Sequence, residues 1–326
     1  MSYAIYSFIH SISRTQKVSL LTKGLVNELI SSESWNNVAS LLKERGIIEE
    51  QPASIEDFEF MLKSRSLTLL EKIRNYFSIF RVTYNIVDLY IYMLSLDELK
   101  NIIVSIVNGT GNGNSNKIRF FKKYFDQIPS SLEELTNSFK GNIYANALSY
   151  AIKDGQGKNI SYLLSLLDIY FIKKLSEIIE GFKGDWKSLA ENIICYYKDY
   201  YSISFAIKHK TVENTVCKIG TEILKDLSSS TSNTEILDIL RRTQYSKMLN
   251  VNNTYEALAS LYRMARVNAR KSSELVFMSS PFNPALALAL AELIRLDTED
   301  IVSIANAKSL RLKEEEIKKM LSFEII

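Results

Sequence analysis

Glycine and proline are unusually scarce in this sequence. Among 326 residues there are 11 glycines and 4 prolines, about 3% and 1% against averages of roughly 7% and 5%. Hairpins, sheets and phosphate loops need these residues as punctuation, whereas long helices need them absent. An all-β fold is excluded, and a Rossmann or barrel enzyme is disfavoured. Cysteine and histidine are fewer still, with two of each. Cys195 and Cys217 are 22 apart with no CxxC, so no disulfide scaffold is expected, and reduced thiols in a reducing compartment are the default. His10 and His209 have no partner at metal-ligand spacing. A zinc site, an HExxH helix and a Ser-His-Asp triad therefore lack support.

Charge of one sign is also missing. Forty Lys and Arg face 37 Asp and Glu, for a net charge of +3. The segments 1–100, 101–200 and 201–326 carry nets of −1, +2 and +2. No segment has the basic footprint of a nucleic-acid binder. The first thirteen residues contain no Lys or Arg, so a secretory signal is not expected. The longest apolar run, Leu275 to Ala291, is interrupted by Ser279, Ser280, Pro281, Asn283 and Pro284. It falls short of the roughly 20 apolar residues of a membrane span.

What remains is helical periodicity. Between Pro52 and Gly109 there is neither Gly nor Pro, and Leu69, Leu70, Ile73, Phe77, Phe80, Tyr84, Val87, Ile91 and Leu94 recur at three- and four-residue steps. This stripe predicts one helix from Ser66 to Leu94, roughly 43 Å long at 1.5 Å per residue. Ser95 with Glu98, Ser131 with Glu134 and Ser232 with Glu235 read as capping boxes that start new helices. Residues 108–116 (NGTGNGNSN) and 228–233 (SSSTSN) read as polar connectors. The fold class is all-α. A hydrophobic fraction of 46% and a length beyond the roughly 250–300 residues of a single core predict two or three units.

Comparing the segments brings out an internal signature, acidic-x-x-polar-Ile. It occurs at Glu98–Asn101, Asp199–Ser202 and Asp297–Asp300, each followed by isoleucine, at spacings of 101 and 98 residues. Each copy places a carboxylate one helical turn before a small polar group. Three helical units of about one hundred residues suit ordinary domain size.

Candidate chemistry is sparse. Gly109, Gly111 and Gly113 lack the GxGxxG spacing and any GK[ST], so they read as a connector and not as a phosphate cradle. Glu314 and Glu315 face Lys318 and Lys319 as i,i+4 pairs that stabilise a terminal helix by about 0.2–0.5 kcal/mol each. Arg263, Arg266 and Arg270, with Lys271, form a basic stripe at helical spacing. It reads as a solvated face or as an electrostatic contact with an acidic partner or anionic headgroups. Catalysis needs convergent titratable groups, and none are arranged here. No catalytic residue, cofactor site or metal site is assigned.

The C-terminal third resembles the C subunit of archaeal and bacterial A/V-type rotary ATPases, whose eukaryotic equivalent is the vacuolar ATPase d subunit. The likeness runs from Glu256 through the Leu261–Ala269 helix to the turn Pro281-Phe282-Asn283-Pro284. It continues through Ala285–Ile294 into Asp297–Lys308 and closes on Leu310–Leu312 and Glu316–Leu321. The family carries an acidic-x-x-Asn signature once per repeat, so Glu98–Asn101 and Asp199–Ser202 extend the match, with Asn kept only at Asn101. At the N-terminus Tyr3-Ala4, Leu20-Leu21, Trp35–Val38 and Leu41-Leu42 are similar to the family as well. The resemblance implies three similar helical domains around a pseudo-threefold axis, here 1–116, 117–232 and 233–326, arranged as a funnel. It implies a non-catalytic, peripheral rotor part on the cytoplasmic face, one copy per complex, seated between the central-stalk subunits and the proteolipid ring. Its role would be to transmit torque in proton-coupled ATP synthesis or hydrolysis. Helix N-termini carry roughly half a positive charge each, so an acidic stalk tip or ring loop is the expected complement, with Arg263, Arg266 and Arg270 contributing. The rival reading is a generic α-helical scaffold for other soluble partners, which predicts repeats of about 20–50 residues that the sequence does not contain.

Overall fold

The computed structural model describes residues 3–17, 19–77, 81–110, 118–213, 215–246, 251–279 and 283–324. Every regular element among them is a helix. The chain opens with α1 (Tyr3–Lys17), α2 (Lys23–Ser31) and α3 (Trp35–Glu44). Two long helices follow, α4 (Ile55–Tyr76) and α5 (Arg81–Val107), then two short ones, α6 (Leu132–Ser138) and α7 (Ile143–Asp154). The same order repeats with α8 (Ile160–Glu180), α9 (Asp185–His209), α10 (Thr221–Ser229) and α11 (Asn233–Arg241). A third long pair, α12 (Thr254–Met278) and α13 (Ala285–Ser309), precedes the single turn α14 (Glu314–Lys318).

Side-chain caps set most of these starts. Ser54 accepts the Asp57 amide at 3.1 Å, Asn159 that of Tyr162 at 2.9 Å, and Asn253 that of Glu256 at 2.9 Å. Each satisfies one of the four orphan donors of a helix N-terminus. Ser131 and Ser232 cap α6 and α11, and the carboxylates of Glu134 and Glu235 reach back to the amides of Ser130 and Thr231.

The long helices form three antiparallel hairpins, α4–α5, α8–α9 and α12–α13, and each packs on the next. Helix α5 lies on α8, α9 on α12 and α13 on α4, while α13 also touches α5 and α9. The apolar stripe read as one helix from Ser66 to Leu94 is divided here between α4 and α5. Folding back lets Leu70, Ile73 and Phe77 share one core with Val87, Tyr90 and Ile91, whereas a single rod would need a partner along its whole length. No helix starts at Ser95, because α5 runs straight through it. The Ser95 hydroxyl bonds back to the Ile91 and Tyr92 carbonyls at 3.0 and 3.1 Å and meets the Tyr144 hydroxyl at 2.8 Å. The first connector, 108–116, lies largely outside the described residues. The second is a short link between α10 and α11.

Short helices rest on the C-terminal half of each hairpin's second helix. Helices α10 and α11 pack with α9 and α12 through Leu224, Leu227, Ile236 and Leu240. The segment from Ile118 through α7 joins α5 through Phe121, Phe139 and Tyr144, whose rings cluster at 5.0–5.2 Å. On α13 the equivalent place is taken by α2 and α3, where Val26, Leu29, Val38 and Leu42 share a core with Ile301, Ile304 and Ala305. The pair resting on the third hairpin therefore comes from the other end of the chain.

The expectation of two unbridged thiols is corrected. Cys195 and Cys217 form a disulfide, with Cα atoms 5.3 Å apart. Asp199, one turn beyond Cys195 on α9, accepts the Cys217 amide at 2.7 Å. That contact lays the outgoing segment back along the helix and brings the two sulfurs together, which spacing in sequence alone does not reveal.

Candidate functional site

The three signature copies sit on α5, α9 and α13, and each leading carboxylate accepts backbone amide hydrogens: Glu98 and Asp199 from the segment returning after their own helix, Asp297 from the N-terminal segment before α2. Glu98 takes the amides of Arg119, Phe120 and Phe121 at 3.0, 2.9 and 3.2 Å. Asp199, which is buried, takes those of Cys217 and Lys218 at 2.7 and 3.0 Å, together with the Tyr245 hydroxyl. Asp297 takes the Leu21 amide at 2.7 Å. A carboxylate bonded to amides at the start of a short segment fixes where that segment leaves the long helix. The polar member of the signature varies more. Ser202 donates to the Thr215 carbonyl at 2.9 Å, Asn101 is exposed, and Asp300 is fully buried.

The arginine stripe faces inward. Arg266 and Arg270 are 5% and 4% exposed, so the solvated basic face expected from spacing is not present. Arg266 pairs with Asp300 at 2.5 Å and Glu299 at 3.2 Å and donates to the Met320 carbonyl at 2.8 Å. Arg270 reaches Asp297 at 2.7 Å, Asp300 at 3.3 Å and the Ser322 hydroxyl at 2.6 Å, with its guanidinium over the Phe323 ring. Asp300 also accepts the Ser322 amide at 3.0 Å. Arg263 is half-buried, and its Nε has no hydrogen-bond partner among the described residues. Two of the three arginines read as a surface, Arg266 and Arg270, thus form a clamp joining α12, α13 and the C-terminal segment.

The ion pairs continue along α13. Arg295, 1% exposed, bonds Glu292 at 2.8 Å and also holds Glu299 and the Tyr197 hydroxyl of α9. Burial works against the charge of Arg295, yet Glu292 and Glu299 hold its pKa above the ordinary arginine value. Burial dominates at Asp297 and pushes its carboxyl up to about 6, against the opposing effects of Arg270 and the Leu21 amide. Sequence reasoning missed Glu292, Arg295 and Glu299. Their signal is three charges at steps of three and four along α13, the first two inside its otherwise apolar stretch Ala285–Leu296.

All three hairpins line one central pocket of about 380 Å³. Lys63, Met93 and Asp97 come from the first, Asp168, Tyr200 and Tyr201 from the second, and Tyr262, Arg266 and Glu299 from the third. Lys63 lies 2.7 Å from Glu59 and 3.1 Å from Asp97, and Lys100 lies 2.6 Å from Asp168. A second pocket of about 620 Å³ shares Glu59, Lys63, Leu94 and Asp97 with the first and extends outward over α4 and α5 to Asn101, Ser105 and Phe120.

Titratable groups elsewhere serve packing. His10 accepts from Arg14 Nε at 2.6 Å, and His209 meets the Ser165 hydroxyl at 2.8 Å between Tyr162 and Phe205. Burial, with the neighbouring Arg14 and Lys208 charges, lowers both imidazole pKa values. No group of His, Cys, Asp and Glu among the described residues is arranged to hold a metal ion. Among those residues no helix is long and apolar enough to cross a membrane.

The family model of the ATP synthase (C/AC39) subunit matches residues 9–320, nearly the whole chain, and the chain belongs to that family. No curated protein is significantly similar to it.

Proposed function

We propose, with membership of the ATP synthase C/AC39 subunit family as the premise, that this chain is the rotor-coupling socket of an A/V-type ATPase. In this reading it is non-catalytic and seats on the proteolipid ring at the cytoplasmic face. It receives the central stalk and passes torque between the two during proton-coupled ATP synthesis or hydrolysis, one copy per complex. The three hairpins form a funnel around a pseudo-threefold axis. The units 1–116, 117–232 and 233–326 follow the order of the chain, and the third is completed in space by α2 and α3.

The observation that carries this reading is the pocket lined by all three hairpins. A socket has to grip an inserted part from several sides, and side chains of α4, α5, α8, α9, α12 and α13 converge there. A torque coupler also has to be stiff. Long helices packed in succession, with few glycine hinges, suit that requirement. The buried ion-pair chain of α12 and α13 ties the third hairpin to α9 through Tyr197 and to the N-terminal segment through Leu21. Such groups fix register, because any sliding leaves a charge unpaired in the interior.

The test is affinity purification of the tagged chain from its host in mild detergent, followed by mass spectrometry. Recovery of the proteolipid together with central-stalk subunits is the expected result. Recovery of unrelated soluble proteins without the proteolipid refutes the socket role.

A further inference from the structure

The two connected pockets carry a definite charge. Their walls hold six carboxylates, those of Glu56, Glu59, Asp97, Glu98, Asp168 and Glu299. They hold three cations, Lys63, Arg119 and Arg266. Ion-pair partners just behind the walls do not alter the balance. Asp57 and Asp300 on one side match Lys100 and Arg295 on the other. The concave surface therefore has a surplus of negative charge, although the chain as a whole is +3. Asp97 is readily accessible, with 75% of its side chain exposed although it pairs with Lys63, and Glu56 is exposed as well. Low-dielectric walls focus such a surplus into the cleft.

The lining also shows how a cation is received. Arg119 places its guanidinium 4.8 Å from the Phe60 ring centre in the outer pocket, and Arg266 lies 5.8 Å from that of Tyr262 in the inner one. Tyr200 and Tyr201 add further aromatic surface to the wall. Acids at the rim with aromatic faces behind them suit arginine and lysine side chains, which bind by charge and by stacking together.

We infer that this groove takes a basic, lysine- and arginine-bearing end of the central stalk, seated off the axis toward the first hairpin, where the inner pocket runs out over α4 and α5. The inference rests on the socket reading and fixes the chemistry of its partner. It reverses the acidic complement that the helix N-termini and the arginine stripe led the sequence to predict. Arg266 and Arg270 are neutralised by carboxylates inside the protein, and the cavity walls carry the acidic surplus.

The experiment measures binding of the full chain to the purified central-stalk subunits of the same complex, from low salt to about 0.5 M, where the Debye length falls toward roughly 4 Å. The double variant Glu56→Gln/Asp97→Asn removes two exposed charges without touching the buried network. Glu314→Gln/Glu315→Gln on α14 removes two charges that line neither pocket and serves as the control. At low salt the groove variant is expected to bind about tenfold more weakly than wild type, with the gap closing as salt rises and the control unchanged. Wild-type binding that is insensitive to salt, or a groove variant that binds as well as wild type, overturns the inference and leaves the socket reading intact. Failure of the wild type to bind the stalk at any salt overturns both.

Discussion

Replacing Asp300 with asparagine is the sharpest test of what holds the third hairpin together. The carboxylate is 0% exposed and serves Arg266 at 2.5 Å, Arg270 at 3.3 Å, the Ser322 amide at 3.0 Å and the Ser322 hydroxyl at 2.5 Å. The amide keeps the shape but removes the charge that two buried guanidinium groups face. Removing one member of a buried ion pair costs about 3–5 kcal/mol, because the partner's desolvation is no longer offset. Glu299 and Asp297 remain for the two arginines, so the loss should fall toward the lower end of that range. For a chain of this length, unfolding entropy of about 2.1 cal/mol/K per residue converts such a loss to a fall in Tm of roughly 4–7 °C. Thermal and urea unfolding measure it, and hydrogen exchange of residues 320–324 should quicken at the same time. Ser322→Ala provides the scale, since it removes one hydroxyl and should cost about 1–2 kcal/mol. An Asp300→Asn loss below about 1 kcal/mol, with exchange unchanged, would show that the clamp contributes little and that the register argument is wrong.

Three further outcomes follow from the same contacts. Asp297 has its folded pKa raised to about 6 by burial, so the folded state binds its proton more tightly than the unfolded state does. Stability from this group is therefore full at low pH and falls as pH rises from about 4 to about 6. Urea titrations should show Asp297→Asn gaining on the wild type by up to about 3 kcal/mol between pH 4 and 7, and parallel pH curves would disprove the assignment. Glu98→Ala should release the amides of 119–121, speed exchange there and cost about 1–3 kcal/mol in urea unfolding, while exchange in residues 215–219 stays as it was. Cys217→Ser should cost about 3 kcal/mol on chain-entropy grounds for a loop closed over 22 residues. Equal stabilities of that variant and the wild type under oxidising conditions would show that Asp199 alone holds the segment.

Legibility in the sequence followed the kind of interaction involved. Helices were visible because their signal is local, in the scarcity of Gly and Pro and in apolar residues at three- and four-residue steps. The caps at Ser131 and Ser232 were visible because each involves four consecutive residues. Ser95 offered the same motif and misled, because whether a serine caps a helix or bonds back into it depends on what surrounds it. Here Leu96 and Leu99 are buried, Tyr144 takes the hydroxyl, and Glu98 is engaged by amides more than twenty residues on. The division at Phe77 was invisible for a related reason. A continuous stripe does not say whether it meets a neighbour or folds back on itself.

The polar site was legible in position but not in direction. The signature spacing located Glu98, Asp199 and Asp297; the first two anchor the segment returning after their own helix, and Asp297 anchors the N-terminal segment at Leu21. The arginine stripe was located as well, but its meaning depends on whether α12 presents that face to water or to α13. The deciding residues lie more than twenty-five positions away. Asp297 and Asp300 match Arg266 and Arg270 in number and height along the facing helix, so charges that repeat on one helix are neutralised by charges that repeat on the next. Burying both rows turns a feature that reads as a docking surface into one that resists shear between helices, since displacement by one turn would separate every pair at once. On the proposed reading, that is a property a torque coupler needs along its long helices. In the same reading it also leaves contact with the stalk to residues such as Asp97, whose carboxylate is still exposed to solvent.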